Sequence, residues 1–136
     1  MNHNTSNSLD NFTTSLGAGN VSGTWNSATG VYTAPRTGLY TISAGMSFLV
    51  TSSTSATGIL HFLVMKNGFN GTEACNLALP VNNPVNQNSS ANISCSVPLN
   101  VGETLQKKYH LWSGGTVNIA LDPAFHGRYY FSVIEN

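Results

Sequence analysis

Apolar and polar positions alternate along most of this chain. From Gly38 to Val50 one parity carries Tyr40, Ile42, Ala44, Met46, Phe48 and Val50, and the other carries Leu39, Thr41, Ser43, Gly45, Ser47 and Leu49. Period-two alternation of this length predicts a long strand with one face buried. The Ser/Thr run Thr51 to Thr57 reads as the loop that ends it. Ile59 to Lys66 is apolar at both parities apart from His61, which predicts a strand covered on both sides. Asn67-Gly68 then supplies a strong hairpin signal.

Further strands are expected at Glu73 to Leu79, Ala91 to Leu99, Glu103 to Trp112, Val117 to Leu121 and Arg128 to Ile134. The Asn- and Pro-rich stretch Pro80 to Ser90, the turn Asn100 to Gly102, Gly114-Gly115 and the loop Asp122 to Gly127 separate them. No segment has the 3.6-residue period of an amphipathic helix. Nine or ten short strands with a turn every 8–12 residues predict an all-β fold, a sandwich or jelly roll. Ahead of the strands, residues 1–19 read as a polar arm with only Leu9, Phe12 and Leu16 as apolar anchors, and residues 20–136 as the folded domain. An arm of this kind is expected to be tied down by a neighbouring subunit or a larger assembly.

Composition narrows the surface. Only 7% of the 136 residues are charged, five basic against five acidic, while 17 Asn and 30 Ser plus Thr make the exterior one of amides and hydroxyls. Too few Lys and Arg are present to hold a polyanion, which argues against nucleic acid and against a polybasic membrane anchor. With no net charge to keep copies apart, the chain is expected to self-associate. The stretch Ile59 to Met65 is too short to span a bilayer. Met1 to Ser8 do not read as a signal peptide, so the expectation is a removed leader or delivery by assembly. Six Asn-x-Ser/Thr triplets begin at Asn4, Asn11, Asn20, Asn70, Asn88 and Asn92, a number that so Asn- and Thr-rich a chain produces by chance. Cys75 and Cys95 both take inward parity on consecutive strands. Parity leaves open whether they lie in one sheet or in separate layers, and whether they are bonded or two buried thiols.

Particular residues then carry a resemblance. Gly30-Val31-Tyr32-Thr33-Ala34-Pro35, followed by Gly38-Leu39-Tyr40-Thr41-Ile42-Ser43, resembles the signature of the C1q-like domain family. Lys66-Asn67-Gly68 is similar to that family's hairpin, Val97 to Glu103 to its Leu-x-x-Gly-Asp segment, and Phe125-His126-Gly127 to its Phe-Ser-Gly. Glu103 stands where Asp is usual and His126 where Ser is common, and no collagen-like stalk is present. Within the motif, Gly30 and Gly38 are read as supplying turn dihedrals closed to other residues. The resemblance, to the C1q and tumour-necrosis-factor-like superfamily, implies a ten-stranded jelly roll packed as a homotrimer. It says nothing about a ligand.

Catalytic chemistry is thinly represented. There is no Gly-x-Ser-x-Gly elbow, both cysteines have core parity, and the five carboxylates fall mostly at strand ends or turns. The four histidines show no His-x-His or His-x-x-x-His spacing, so no metal site or cofactor is expected. Binding is the better expectation. On the Glu103 to Trp112 strand, Thr104, Gln106, Lys108, His110 and Trp112 share one parity; Leu105, Tyr109 and Leu111 share the other, with Lys107 the exception. Lys108, His110 and Trp112, with Arg128, are the candidate binding residues, for a surface glycan or a protein receptor. The competing expectation puts such residues in the trimer contact. Tyr32, Tyr40, His61, Tyr129 and Phe131 are assigned to that contact or to the core. The chain thus reads as a non-enzymatic recognition or decoration module, on a virion surface or in an extracellular setting, with a secreted lectin-like fragment as the alternative.

Overall fold

A strand with one apolar face needs a second layer to cover it, and the two-sheet architecture follows from that demand. The computed structural model describes residues 5–8, 24–26, 29–53, 58–81, 88–113, 117–121 and 130–136. The regular elements among them are strands: β1 (Thr5–Ser8), β2 (Thr24–Asn26), β3 (Val31–Thr33), β4 (Gly38–Ser53), β5 (Gly58–Lys66), β6 (Thr72–Pro80), β7 (Asn88–Leu99), β8 (Thr104–Ser113), β9 (Val117–Leu121) and β10 (Tyr130–Glu135). All pairings are antiparallel. One sheet, called here the first, runs β2-β3-β8-β5-β6 with β1 also on β8; the second runs β10-β4-β7 with β9 also on β4. The result is an all-β antiparallel sandwich of jelly-roll type.

The core lies between the sheets. Tyr40, Ile42, Ala44, Met46, Phe48 and Val50 of β4 are all buried, and face Leu60, Phe62 and Val64 of β5 and Leu105, Tyr109 and Leu111 of β8 in one cluster. β7 adds Ala91, Ile93, Val97 and Leu99, and β10 adds Phe131 and Val133. Tyr32 and Tyr40 meet edge to face at 6.2 Å, and the Tyr40 hydroxyl donates to the Arg36 carbonyl at 2.7 Å, so its polar tip is satisfied inside an apolar setting.

Several boundaries differ from the sequence reading. β4 runs on through Thr51, Ser52 and Ser53, because β9 pairs with this end of the strand across a register shift. Partner strands therefore override the loop preference of a Ser/Thr run. β5 is covered on both sides only over Phe62 to Met65; Ile59, near its start, is 38% exposed. The hairpin after β5 is present, but its loop spans the five residues between Lys66 and Thr72, which pair. Asn67 and Gly68 both take positive φ there, 61° and 100°. Gly30 also needs its glycine, at φ 68°. Gly38 does not: it sits at ordinary strand φ, and a Cβ there would meet the Glu135 side chain at an ordinary 3.6 Å. Thr5–Ser8, within the arm, pairs with β8 of its own sheet, and the boundary at residues 19 and 20 lies outside the described residues.

Three sequence motifs far apart in the chain converge at one end of the sandwich. Glu103 accepts from the Asn100 amide at 2.7 Å and from Asn67 Nδ2 at 3.1 Å, and pairs with Lys66 Nζ at 2.7 Å. Asn67 Oδ1 in turn accepts from the Thr104 amide. The Ala34 amide donates to the Glu103 carbonyl, the Gly102 amide donates to the Ala34 carbonyl, and the Val101 amide donates to Thr37 Oγ1. Donors aimed at its charged form pull the Glu103 carboxyl down to about 2, the Asn100 amide contributing most and then Lys66 and Asn67.

Cys75 on β6 and Cys95 on β7 form a disulfide with Cα atoms 6.2 Å apart. β6 is an edge of the first sheet and β7 an edge of the second, so the bond fastens the two layers along one open side. The thiols therefore lie in separate layers and are bonded, which settles the alternatives that parity left open.

Two outcomes follow from these contacts. Closing a 20-residue separation restricts the unfolded chain by about 3 kcal/mol, so Cys75→Ser/Cys95→Ser is expected to lose about that much stability in urea denaturation. Reductant added to the unmutated chain is expected to reproduce the loss. Glu103 ionises more readily in the folded state than in the unfolded one. Its contribution is therefore complete above about 4.5 and is lost as pH falls toward about 2. A melting series across that window is expected to fall more steeply for the unmutated chain than for Glu103→Gln.

Candidate functional site

The two outer faces of the sandwich differ in chemistry. On the second sheet the outward parity of β4 carries Leu39, Thr41, Ser43, Gly45, Ser47 and Leu49, of which Gly45 and Ser47 are already buried within the chain; that of β7 includes Asn92, Ser94, Ser96 and Pro98, and that of β10 Ser132 and Ile134. Register lines them up in rows across three strands, Ile134–Thr41–Ser96 and Ser132–Ser43–Ser94. Not one of these named side chains is charged. Leu39 and Ile134 are exposed large apolar groups at one end, beside the exposed Pro98. The nearest ion pair, Arg36 with Glu135 at 2.7 Å, lies at the margin, where β4 begins and β10 ends.

The outer face of the first sheet is built differently. β8 presents Thr104, Gln106, Lys108 and His110 there, all half-buried, while Leu105, Lys107, Tyr109 and Leu111 point inward and are buried. Across from them on β5 lie Met65, Leu63 and His61, and β6 adds Asn76 and Ala78. Lys108 Nζ donates to the Phe69 carbonyl at 3.1 Å and stands 4.3 Å above the Phe69 ring, a cation–π contact. That anchorage draws the lysine stem along the sheet beside Leu63, which is only 7% exposed despite facing outward. His61 and His110 are direct cross-strand partners, with ring centroids 6.4 Å apart and planes at 49°. Burial, and then the neighbouring His61 and Lys108, hold the His110 imidazole below its ordinary pKa.

Lys108 and His110 thus share the outer face of the first sheet. Trp112 continues β8, though its side chain, like Arg128 and Tyr129 altogether, lies outside the described residues. His61 joins the same face from β5. Tyr32, Tyr40 and Phe131 are buried between the sheets. Among the described residues no three of His, Cys, Asp and Glu gather closely enough to enclose a metal.

The residue that parity marked as an exception, Lys107, is a structural surprise. Its side chain points into the core and is almost fully buried. Its ammonium sits 5.9 Å from the centroid of Phe131, whose ring packs at 5.2 Å against Trp25. Burial pushes the amine well below the usual lysine range. The unfolded chain therefore binds the more protons, and stability is expected to rise with pH until it levels near the ordinary lysine value of 10.5. Lys107→Met is expected to flatten that alkaline rise in a chemical-denaturation series; an unchanged rise would contradict the buried placement.

No protein-family model matches this chain, and no curated protein does. Solved structures do. One, described as Eiger TNF from S. frugiperda, superposes with a TM-score of 0.53 over 83% of this chain and 68% of that one, at 13% sequence identity. At that identity the likeness is one of fold, and it places the sandwich with the tumour-necrosis-factor type of jelly roll.

Proposed function

We propose that this chain is a non-enzymatic, C1q-like recognition or decoration head that assembles as a homotrimer through the uncharged outer face of the second sheet. The observation that carries the reading is that face itself. Bringing it against a copy desolvates hydroxyls and small apolar groups and, among the described residues, buries no charge, which removes the largest penalty of association. Small side chains let two copies approach closely, and Leu39, Pro98 and Ile134 contribute apolar area. A closed cyclic assembly also consumes the face fully, where an open one would polymerise. The threefold symmetry is what the C1q-like motifs imply, and the tumour-necrosis-factor type of fold supports it.

With the second sheet turned inward, the first sheet faces solvent. Lys108, His110 and Trp112 of β8 are then the residues offered to a partner, a surface glycan or a protein receptor. An extracellular or virion surface suits this reading. The disulfide supports an oxidising compartment, and an amide-and-hydroxyl exterior stays soluble without charge. The parts of residues 1–19 other than Thr5–Ser8, which pairs with β8, are proposed as the tether to the larger particle.

Light scattering after size exclusion tests the assembly. The expected mass is three times the 14.4 kDa of one chain. Ser96→Arg, which sets a charge in the middle of the proposed contact, is expected to shift the mass toward the monomer, while Lys108→Gln leaves it unchanged. A monomeric unmutated chain, or a trimer indifferent to Ser96→Arg, would sink the reading.

A further inference from the structure

The pairing of His61 with His110 is unused by anything above, and it places two nitrogen ligands side by side. The two residues are 49 positions apart in sequence, so no local spacing announces them; only the β5–β8 register brings them together. Directly opposed residues of an antiparallel pair hold their Cβ atoms about 5 Å apart, a fixed base from which two imidazoles can turn toward one point. A metal about 2.1 Å from a ring nitrogen lies about 3.3 Å from that ring's centroid, and twice that distance is close to the observed separation. The 6.4 Å between the rings is therefore within the span of one ion, and a swing of either half-buried ring about χ1 or χ2 bends the arrangement toward a tetrahedral angle.

The residues across from His61 and two along from it are Ala78, Ile59 and Leu63, which carry no side-chain ligand, and Ser6 of β1 lies directly across from His110 on its other side. Lys108, the nearest cation on the same face, has its ammonium held on Phe69 by the contacts described above. No third His, Cys, Asp or Glu joins them among the described residues.

We infer that His61 and His110 form a two-imidazole chelate for a borderline divalent transition ion of the zinc, nickel and copper class, on the outer face of the first sheet. Imidazole suits these ions, whereas magnesium and calcium prefer oxygen. The inference does not depend on the trimer, because it uses two strands of one chain.

Zinc chloride titrated into the full chain by calorimetry, beside His61→Gln and His110→Gln, tests it. Saturable binding is expected at one ion per chain, weakened about tenfold or more by either change. Nickel is expected to follow the same pattern, and magnesium to give no heat. Circular dichroism confirms that each variant is folded. On the unmutated chain, the ring protons of His61 and His110 are expected to shift together in NMR as zinc is added, which keeps the test decisive if a variant fails to fold. No saturable binding, affinity indifferent to His61→Gln and His110→Gln, or ring shifts at only one of the two histidines would overturn the inference.

Discussion

Scarcity of charge is the constraint on which the rest of this structure depends. Ten formally charged side chains serve 136 residues, and most of those described have a local task. Glu103 and Lys66 lock three loops at one end of the sandwich, Arg36 and Glu135 close its margin, Lys108 is laid over Phe69, and Lys107 is buried beside Phe131. Among the described residues nothing charged is left for the broad outer face of β4, β7 and β10. The described part of that face is therefore neutral by the way the few charges are placed, which is what the proposed self-association draws on.

Much of the fold was legible in the sequence because period-two alternation reports which side of a strand is buried, and it does so locally. The inward set of β4, from Tyr40 to Val50, and the outward Thr104, Gln106, Lys108 and His110 of β8 could be read directly. Two of the motifs that resemble the C1q-like signature were legible for a related reason. Around Lys66-Asn67-Gly68 and Val97 to Glu103 a glycine, asparagine or acid has a short-range job in a turn, and Glu103 meets Asn67 because both belong to turns at the same end of the sandwich. What alternation does not carry is register and layer. It left Cys75 and Cys95 with the same parity but no layer, and only the placement of β6 and β7 on the same side of two different sheets brings them together. His61 and His110 were each visible alone and invisible as a pair for the same reason. The end of β4 was misjudged because a Ser/Thr run looks like a loop until a partner strand, here β9, supplies the hydrogen bonds. Lys107 broke its parity in the sequence, and the structure buries it there rather than turning it out.

In the proposed reading the two outer faces divide the work of a head domain. The second sheet has shape and neutrality, suited to contact with copies of itself, where any uncompensated charge would be costly. The first sheet has imidazoles, a pinned lysine and amides, groups that recognise ligands by direction rather than by apolar area. The disulfide and the Glu103 cluster hold these faces in fixed relation, one along an open side and one across an end. In the proposed assembly the first sheet is then displayed in three copies around an axis, which favours multivalent attachment to a repeated target.

Association through a neutral face has a thermodynamic signature that association through ion pairs lacks, since salt screens only charges. Sedimentation equilibrium of the full chain at low and at molar sodium chloride measures it directly. The account predicts a trimer whose association constant is unchanged or modestly strengthened at high salt. A trimer that dissociates steeply as salt rises would show that charged groups hold it together and would contradict the neutral face as the contact.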